Sequence, residues 1–267
     1  MSVEFVVSAD GTSIAFEAVG QGAPLVLVGG AFCDRRARAS GTPLAALLSE
    51  RQRVLSYDRR GRGDSGDQAP YALEREIDDL AALVTRAGGS AAVFGNSSGA
   101  LLALAAAAAG VPITKLVLFE PPFLLDAARA ASFEPLAREL SRLVVEKQRG
   151  AAAERFLAEV VQVPPAALAG IRRSPAWPGL EALAHTLSYD VSITSRGAQY
   201  LDLARSVTAP ALVLAGGASP PWMRDALGTL AGSLAKGRLG TLEGQTHDVD
   251  TAALARAIAE FLVDSNN

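Results

Sequence analysis

The stretch Val93-Phe94-Gly95-Asn96-Ser97-Ser98-Gly99-Ala100 constrains this chain more than any other. Residues suited to a buried strand run into Gly-x-Ser-x-Gly and out into an Ala/Leu run, Leu101 to Ala109. Strand, sharp turn and helix in that order present one serine, Ser97, at the apex of a bend. Gly95 and Gly99 let the strand and helix backbones pass closely. Ser97 is thus a candidate nucleophile. The plainer reading is a tight turn whose serine only caps the helix.

The patterns on either side extend this unit. Val3 to Ser8 and Ser13 to Val19 are strand-like runs around Asp10-Gly11, a favourable tight turn. Leu25 to Val28, Arg53 to Tyr57, Lys115 to Phe119 and Ala211 to Ala215 are short apolar runs of the kind buried on both faces of a sheet. Leu239 to Leu242 is a weaker strand pattern. Helical patterns lie between them. Leu44, Leu47 and Leu48 share one side; Leu73, Ile77, Leu80 and Val84 keep the helical period; Leu254, Ile258, Phe261 and Leu262 form a final amphipathic stretch. From Phe123 to Ser206 only helical patterns occur, broken by Pro164, Pro165, Pro175 and Pro178.

Alternating strands and helices predict a mostly parallel α/β sheet covered on both faces. A helical insertion between two such strands predicts a cap over their C-terminal edge, where open α/β sheets bind ligands. The expected division is a core of residues 1–122 and 206–267, with 123–205 as a cap that is not an independent domain.

Composition narrows the function. Apolar residues make up 49% of the 267, enough for a large core. A net charge of −3 leaves no nucleic-acid footprint, and the densest arginine cluster, Arg59 to Arg62, is offset by Asp58 and Asp64. Cys33 is the single cysteine, so neither an internal disulfide nor a cysteine metal cluster can form. The longest apolar run, Ala100 to Ala109, falls far short of the ~20 residues needed to cross a bilayer. The N-terminus carries no basic and apolar leader pattern. A soluble, cytoplasmic protein with no membrane and no nucleic-acid partner is expected; a homo-oligomer stays open.

A serine hydroxyl needs a base within hydrogen-bond reach, and the base needs a third group to hold its tautomer. The chain has two histidines. His247 lies in a loop between the last strand and the last helix, from which it can fold back to the elbow. His185 lies in the expected cap, where a local partner is the simpler reading. A developing oxyanion needs two N–H donors. Ser98, after the nucleophile, would supply one. Ala31, in the Gly29-Gly30-Ala31 loop, would supply the other.

Taken in order, Gly29-Gly30-Ala31, Tyr57-Asp58-Arg59-Arg60-Gly61-Arg62-Gly63-Asp64-Ser65, Gly95-Asn96-Ser97-Ser98-Gly99 and Gly244-Gln245-Thr246-His247 resemble the α/β-hydrolase family over nearly the whole chain. The resemblance implies an eight-stranded sheet, a cap after the sixth strand, a Ser–acid–His triad and no cofactor. Many members have His-Gly where this chain has Gly29-Gly30. A larger departure concerns the acid, which the family pattern puts in a turn after the seventh strand. That turn here is Gly216-Gly217-Ala218-Ser219-Pro220-Pro221 and holds no carboxylate.

Glu120 is the candidate acid. It ends the sixth strand, ahead of Pro121-Pro122. Zearalenone lactonases have a Glu-containing turn there and an elbow similar to Ser97-Ser98-Gly99-Ala100. Asp248, Asp250 and Asp225 are rivals, and an ion pair with Arg196 is the structural alternative for Glu120. The resemblance implies that the loop with Asp58, Arg60 and Asp64 braces the elbow. Phe32, Gly30, Trp177 and Phe123 are the expected substrate contacts, with Leu124, Tyr189 and Met223 as further apolar walls. The expected activity is hydrolysis of an ester or lactone of a small to medium, mostly apolar substrate through an acyl-enzyme. Cyclisation, isomerisation or C–C cleavage on the same fold is the alternative that the missing acid keeps open, and a ligand-binding protein without catalysis is a third.

Overall fold

The computed structural model describes residues 2–264. Its strands are β1 (Glu4–Val7), β2 (Ser13–Val19), β3 (Ala23–Val28), β4 (Gln52–Tyr57), β5 (Ala91–Asn96), β6 (Ile113–Phe119), β7 (Ala211–Gly216) and β8 (Gly237–Leu242). They form one eight-stranded sheet in the order β1-β2-β4-β3-β5-β6-β7-β8. The two N-terminal pairings are antiparallel and the rest are parallel.

The parallel strands alternate between two buried faces. Val26 and Val28 of β3, Val93 of β5, and Leu116 and Leu118 of β6 pack on one side. Leu25 and Leu27, Phe94, Val117 and Phe119 pack on the other. Both faces are therefore apolar, which is why these strands read as unbroken runs. Helices α1 (Thr42–Leu48) and α11 (Thr251–Val263) cover the second face through Leu44, Leu48, Leu254 and Ile258. Helices α2 (Leu73–Ala87), α3 (Ser98–Ala108) and α10 (Pro221–Ser233) cover the first. The sequence reading assigns no element over α10, which begins with Pro221 in its first turn.

Between β6 and β7 the chain forms α4 (Ala127–Val145), α5 (Arg149–Glu159), α6 (Pro165–Arg172), α7 (Trp177–Leu183), α8 (Leu187–Thr194) and α9 (Gln199–Ser206). Prolines start helices here as well as separate them: Pro165 and Pro178 sit in the first turns of α6 and α7. Most of this insertion has an apolar core of its own, with Phe133, Leu140, Phe156 and Trp177. Its last part belongs to the sheet instead. Ile193, Tyr200 and Ala204 pack with α3, which is apolar on every side and needs cover on every side. Among the described residues no helix is long and apolar enough to cross a membrane.

Candidate active site

Ser97 stands between β5 and α3 with φ 56° and ψ −127°. This backbone is costly for a side-chain-bearing residue and persists only where the surroundings over-determine it. The surroundings do so here. A Cβ on Gly95 would lie 2.5 Å from Ala100 Cα, and one on Gly99 would lie 2.5 Å from the Val28 and Gly29 carbonyl oxygens. A Cβ on Gly30 would lie 2.8 Å from Ser97 Cβ. Three glycines thus bring β3, β5 and α3 together around one serine. Ser97 N–H is anchored on Phe119 O at 2.9 Å.

Glu120 follows β6 directly, fully buried, with φ 41°. Its N–H donates to Leu214 O at 3.0 Å, and its side chain crosses toward the turn after β7. Oε1 accepts from Gly216 N–H at 2.8 Å and from Ser219 Oγ. Oε2 pairs with His247 Nδ1 at 2.8 Å. Burial pushes the Glu120 carboxyl up, but the hydrogen bonds from His247, Ser219 and Gly216 outweigh it and hold the group below its ordinary value. The His247 ring also lies nearly parallel to Phe119, 13° between planes and 6.1 Å between centres. With Nδ1 held by a carboxylate, Nε2 is left to exchange a proton with another group.

The rival acids lie elsewhere. Asp248 pairs with Arg38, Asp250 caps α11 through the Ala253 N–H, and Asp225 is exposed on α10. Arg196 pairs with Glu74 and not with Glu120. His185 sits with Nε2 2.7 Å from Gly61 O and Nδ1 3.1 Å from Ala182 O, away from Ser97.

Ser97, Ser98, Glu120 and His247 line one cavity of about 570 Å³, together with Gly30, Ala31 and Phe32. Among the described residues, five non-glycine residues have positive φ: Phe32, Ser97, Glu120, Lys147 and Gln162. All but Lys147 line this cavity, so backbone strain is concentrated at it. As the first residue of α3, Ser98 has no preceding turn to which its N–H could donate. Ala31 N–H also has no acceptor among the described residues.

The insertion supplies much of the wall: Leu124, Phe133, Phe156, Leu157 and Val160. Phe32 meets Phe156 edge-on, with ring centres 5.4 Å apart. Met223 and Leu124 line the cavity as expected; Trp177, Phe123 and Tyr189 do not. Trp177 is spent on the insertion's own core, without which α5 to α7 would have nothing to pack on. Phe123 packs into the main core, while its neighbours Pro122 and Leu124 line the cavity. Tyr189 stacks on Tyr71 and donates to Asp67.

A buried ionic cluster joins the insertion to the elbow. Asp190 of α8 accepts from Ser98 Oγ at 2.7 Å, from Arg59 Nη1 at 2.8 Å and from Arg62 Nη2 at 2.8 Å. Burial disfavours its ionised form, but the two guanidinium groups and Ser98 more than offset that and hold its carboxyl below the ordinary value. Arg59 is held in turn by Glu76. Asp58 accepts from Arg35 and from Asp64 N–H, and Arg60 binds Asp79 and Asp10. These are the braces expected of the arginine loop. Asp190 is not legible in the sequence, because an acid in a helical run carries no local sign of a partner 92 residues away.

The Alpha/beta hydrolase family model matches residues 25–261, nearly the whole described chain. The chain belongs to the alpha/beta hydrolase family. This alpha/beta hydrolase is similar over 97% of its length to a solved alpha/beta hydrolase from Sphaerobacter thermophilus DSM 20745, at 48% identity, with a TM-score of 0.89 and all of that chain covered. The fold is also shared with the enol-lactonase from Burkholderia xenovorans LB400, at 23% identity and a TM-score of 0.73, over 98% of this chain and 100% of that one. An esterase from Rhodococcus sp. ECU1013 matches at 22% identity and a TM-score of 0.68, over 98% of both chains. A search of curated proteins finds no match.

Proposed function

We propose that this alpha/beta hydrolase cleaves an ester or lactone through an acyl-enzyme formed on Ser97. His247 takes the Ser97 proton as the hydroxyl attacks the carbonyl carbon, then returns it to the leaving alkoxide. Glu120 holds His247 in the tautomer with Nδ1 protonated and stabilises the imidazolium that forms. The N–H groups of Ala31 and Ser98 receive the oxyanion, a contribution of roughly 3–4 kcal/mol per donor in comparable sites. Water, activated by the same imidazole, then cleaves the acyl-enzyme and frees Ser97.

The observation that carries this reading is the 2.8 Å contact between His247 Nδ1 and Glu120 Oε2, beside a cavity that Ser97 also lines. A missing acid would favour cyclisation, isomerisation or C–C cleavage, and Glu120 supplies a carboxylate at the histidine. An apolar wall of Phe32, Leu124, Phe133 and Phe156 supports a mostly apolar acyl or alcohol group.

The test is reaction with an activated phosphonate ester, followed by intact-protein mass spectrometry. The native protein should gain one phosphonyl group, mapped to Ser97, and lose its activity toward 4-nitrophenyl esters. No adduct, or equal labelling of the Ser97→Ala protein, would refute the assignment.

A further inference from the structure

Besides His247, three ionisable side chains of formal charge line the cavity: Glu120, Asp190 and Arg129. The two acids are committed to partners behind the wall. Glu120 is held by His247, Ser219 and Gly216; Asp190 is held by Arg59, Arg62 and Ser98. Arg129 is different. It is the one lysine or arginine of the lining, and among the described residues its guanidinium has no carboxylate partner. The nearest acid in sequence, Asp126, is turned to the backbone and accepts from the Ala128 and Arg129 N–H groups at 2.8 and 3.2 Å.

Helix stability does not explain the cation. Arg129 lies in the first turn of α4, where the positive end of the helix dipole favours an anion over a guanidinium. Its contact is instead with a ring: Arg129 Cζ lies over Trp222, 5.4 Å from the centroid. Arg129 comes from the insertion and Trp222 from the first turn of α10, so the pair spans cap and core at the cavity. The ring contact restrains the guanidinium, and its N–H groups make no side-chain hydrogen bond among the described residues, so they are available to bind a carboxylate in a fork. Leu124, Phe133 and Val161 share this wall, and a charge-assisted bond formed there is stronger than a neutral one.

We propose that the substrate carries a carboxylate, bound by Arg129, on the group that enters this cavity with its scissile carbonyl at Ser97. This rests on the hydrolase reading for the carbonyl end only; anion binding at Arg129 can be measured without turnover. Arg129 selects the substrate and does not touch the reacting atoms.

The experiment compares mono-4-nitrophenyl glutarate with its neutral methyl ester, each rate corrected for its own uncatalysed hydrolysis, on the native protein and on Arg129→Leu and Arg129→Lys. The native protein should favour the free acid in kcat/KM. That preference should fall about tenfold to a hundredfold in Arg129→Leu, mostly through KM, with Arg129→Lys in between. Because the readout is a ratio on one protein sample, partial misfolding cancels. A native protein without preference for the acid, or a preference that Arg129→Leu leaves intact, overturns the proposal. In parallel, glutaric acid monoanilide is titrated against tryptophan fluorescence. Anilide binding that depends on Arg129, without ester turnover, keeps the anion site and sinks the hydrolase reading. Ser97-dependent turnover with no effect of Arg129 does the reverse, and neither turnover nor binding removes both.

Discussion

Ser219 Oγ donates a hydrogen bond to Glu120 Oε1 from the very turn in which the family pattern puts the acid. The carboxylate that meets His247 stands at the end of the neighbouring strand, β6, and the turn after β7 offers it a hydroxyl. Because β6 and β7 are paired in register, with Phe119 opposite Leu214, the ends of both strands face the same imidazole. One carboxylate can therefore serve from either strand.

That relationship predicts a transferable acid. Glu120→Gln should lower kcat on an activated ester by about ten-thousandfold, the loss seen when a triad carboxylate becomes an amide. Adding Ser219→Asp to Glu120→Gln should recover part of that loss. Steady-state kinetics on the single and double variants read it, and a double variant no faster than Glu120→Gln would count against an acid that serves from either strand.

The Glu120 carboxyl is held below its ordinary value, so its ionised form is bound better in the folded protein than in the unfolded chain. The stabilisation it contributes is complete above the usual glutamate value of about 4.3 and is lost as pH falls through the depressed folded value. The stability gap between the native protein and Glu120→Gln, from urea melts, should shrink as pH falls below about 4.3. A gap that widens on acidification below that pH contradicts the direction.

Asp190 neutralises Arg59 and Arg62 in a site closed to water. Asp190→Ala leaves both guanidinium groups and Ser98 Oγ short of an acceptor, and should cost about 3–5 kcal/mol in unfolding free energy. Asp190→Asn, which retains an acceptor but not the charge, should cost less. Chemical denaturation reads both. Equal, small losses would mean that the cluster does not hold the insertion onto the elbow.

Gly30→Ala tests how tightly the loop after β3 is set against Ser97. Its new Cβ would meet Ser97 Cβ at 2.8 Å and Asn96 O at 2.9 Å, so one of them must shift. Overpacking of this kind costs about 1–3 kcal/mol. A displacement near 1 Å at the reacting group costs about a hundredfold in rate. A Gly30→Ala protein with native kcat would show that the contact yields harmlessly.

Local patterns in the chain were enough for the sheet, the elbow, and a helical insertion after the sixth strand, because each depends on residues a few positions apart. Val93 to Ala100 carries its own reason to turn. Leu25 to Val28 and Lys115 to Phe119 carry their own reason to be buried on both sides. Gly30 and Phe32 were legible as cavity residues because they adjoin a turn that had to approach Ser97. Trp177 and Phe123 were not, because an aromatic side chain in a cap looks the same whether it faces the ligand or fills the cap's own core.

Tertiary structure decided what depends on distance. Glu120 and His247 are 127 residues apart, and only the order of β6, β7 and the loop after β8 brings one carboxylate rather than Asp248 or Asp250 to the ring. Asp190 reaches Ser98 across 92 residues, and Arg129 meets Trp222 only because the insertion folds back over α10. Short-range propensity set the elements and the elbow that carries Ser97. Hydrogen bonds and charges, which act only once the chain has brought their partners together, selected the carboxylate at His247 and the lining of the cavity.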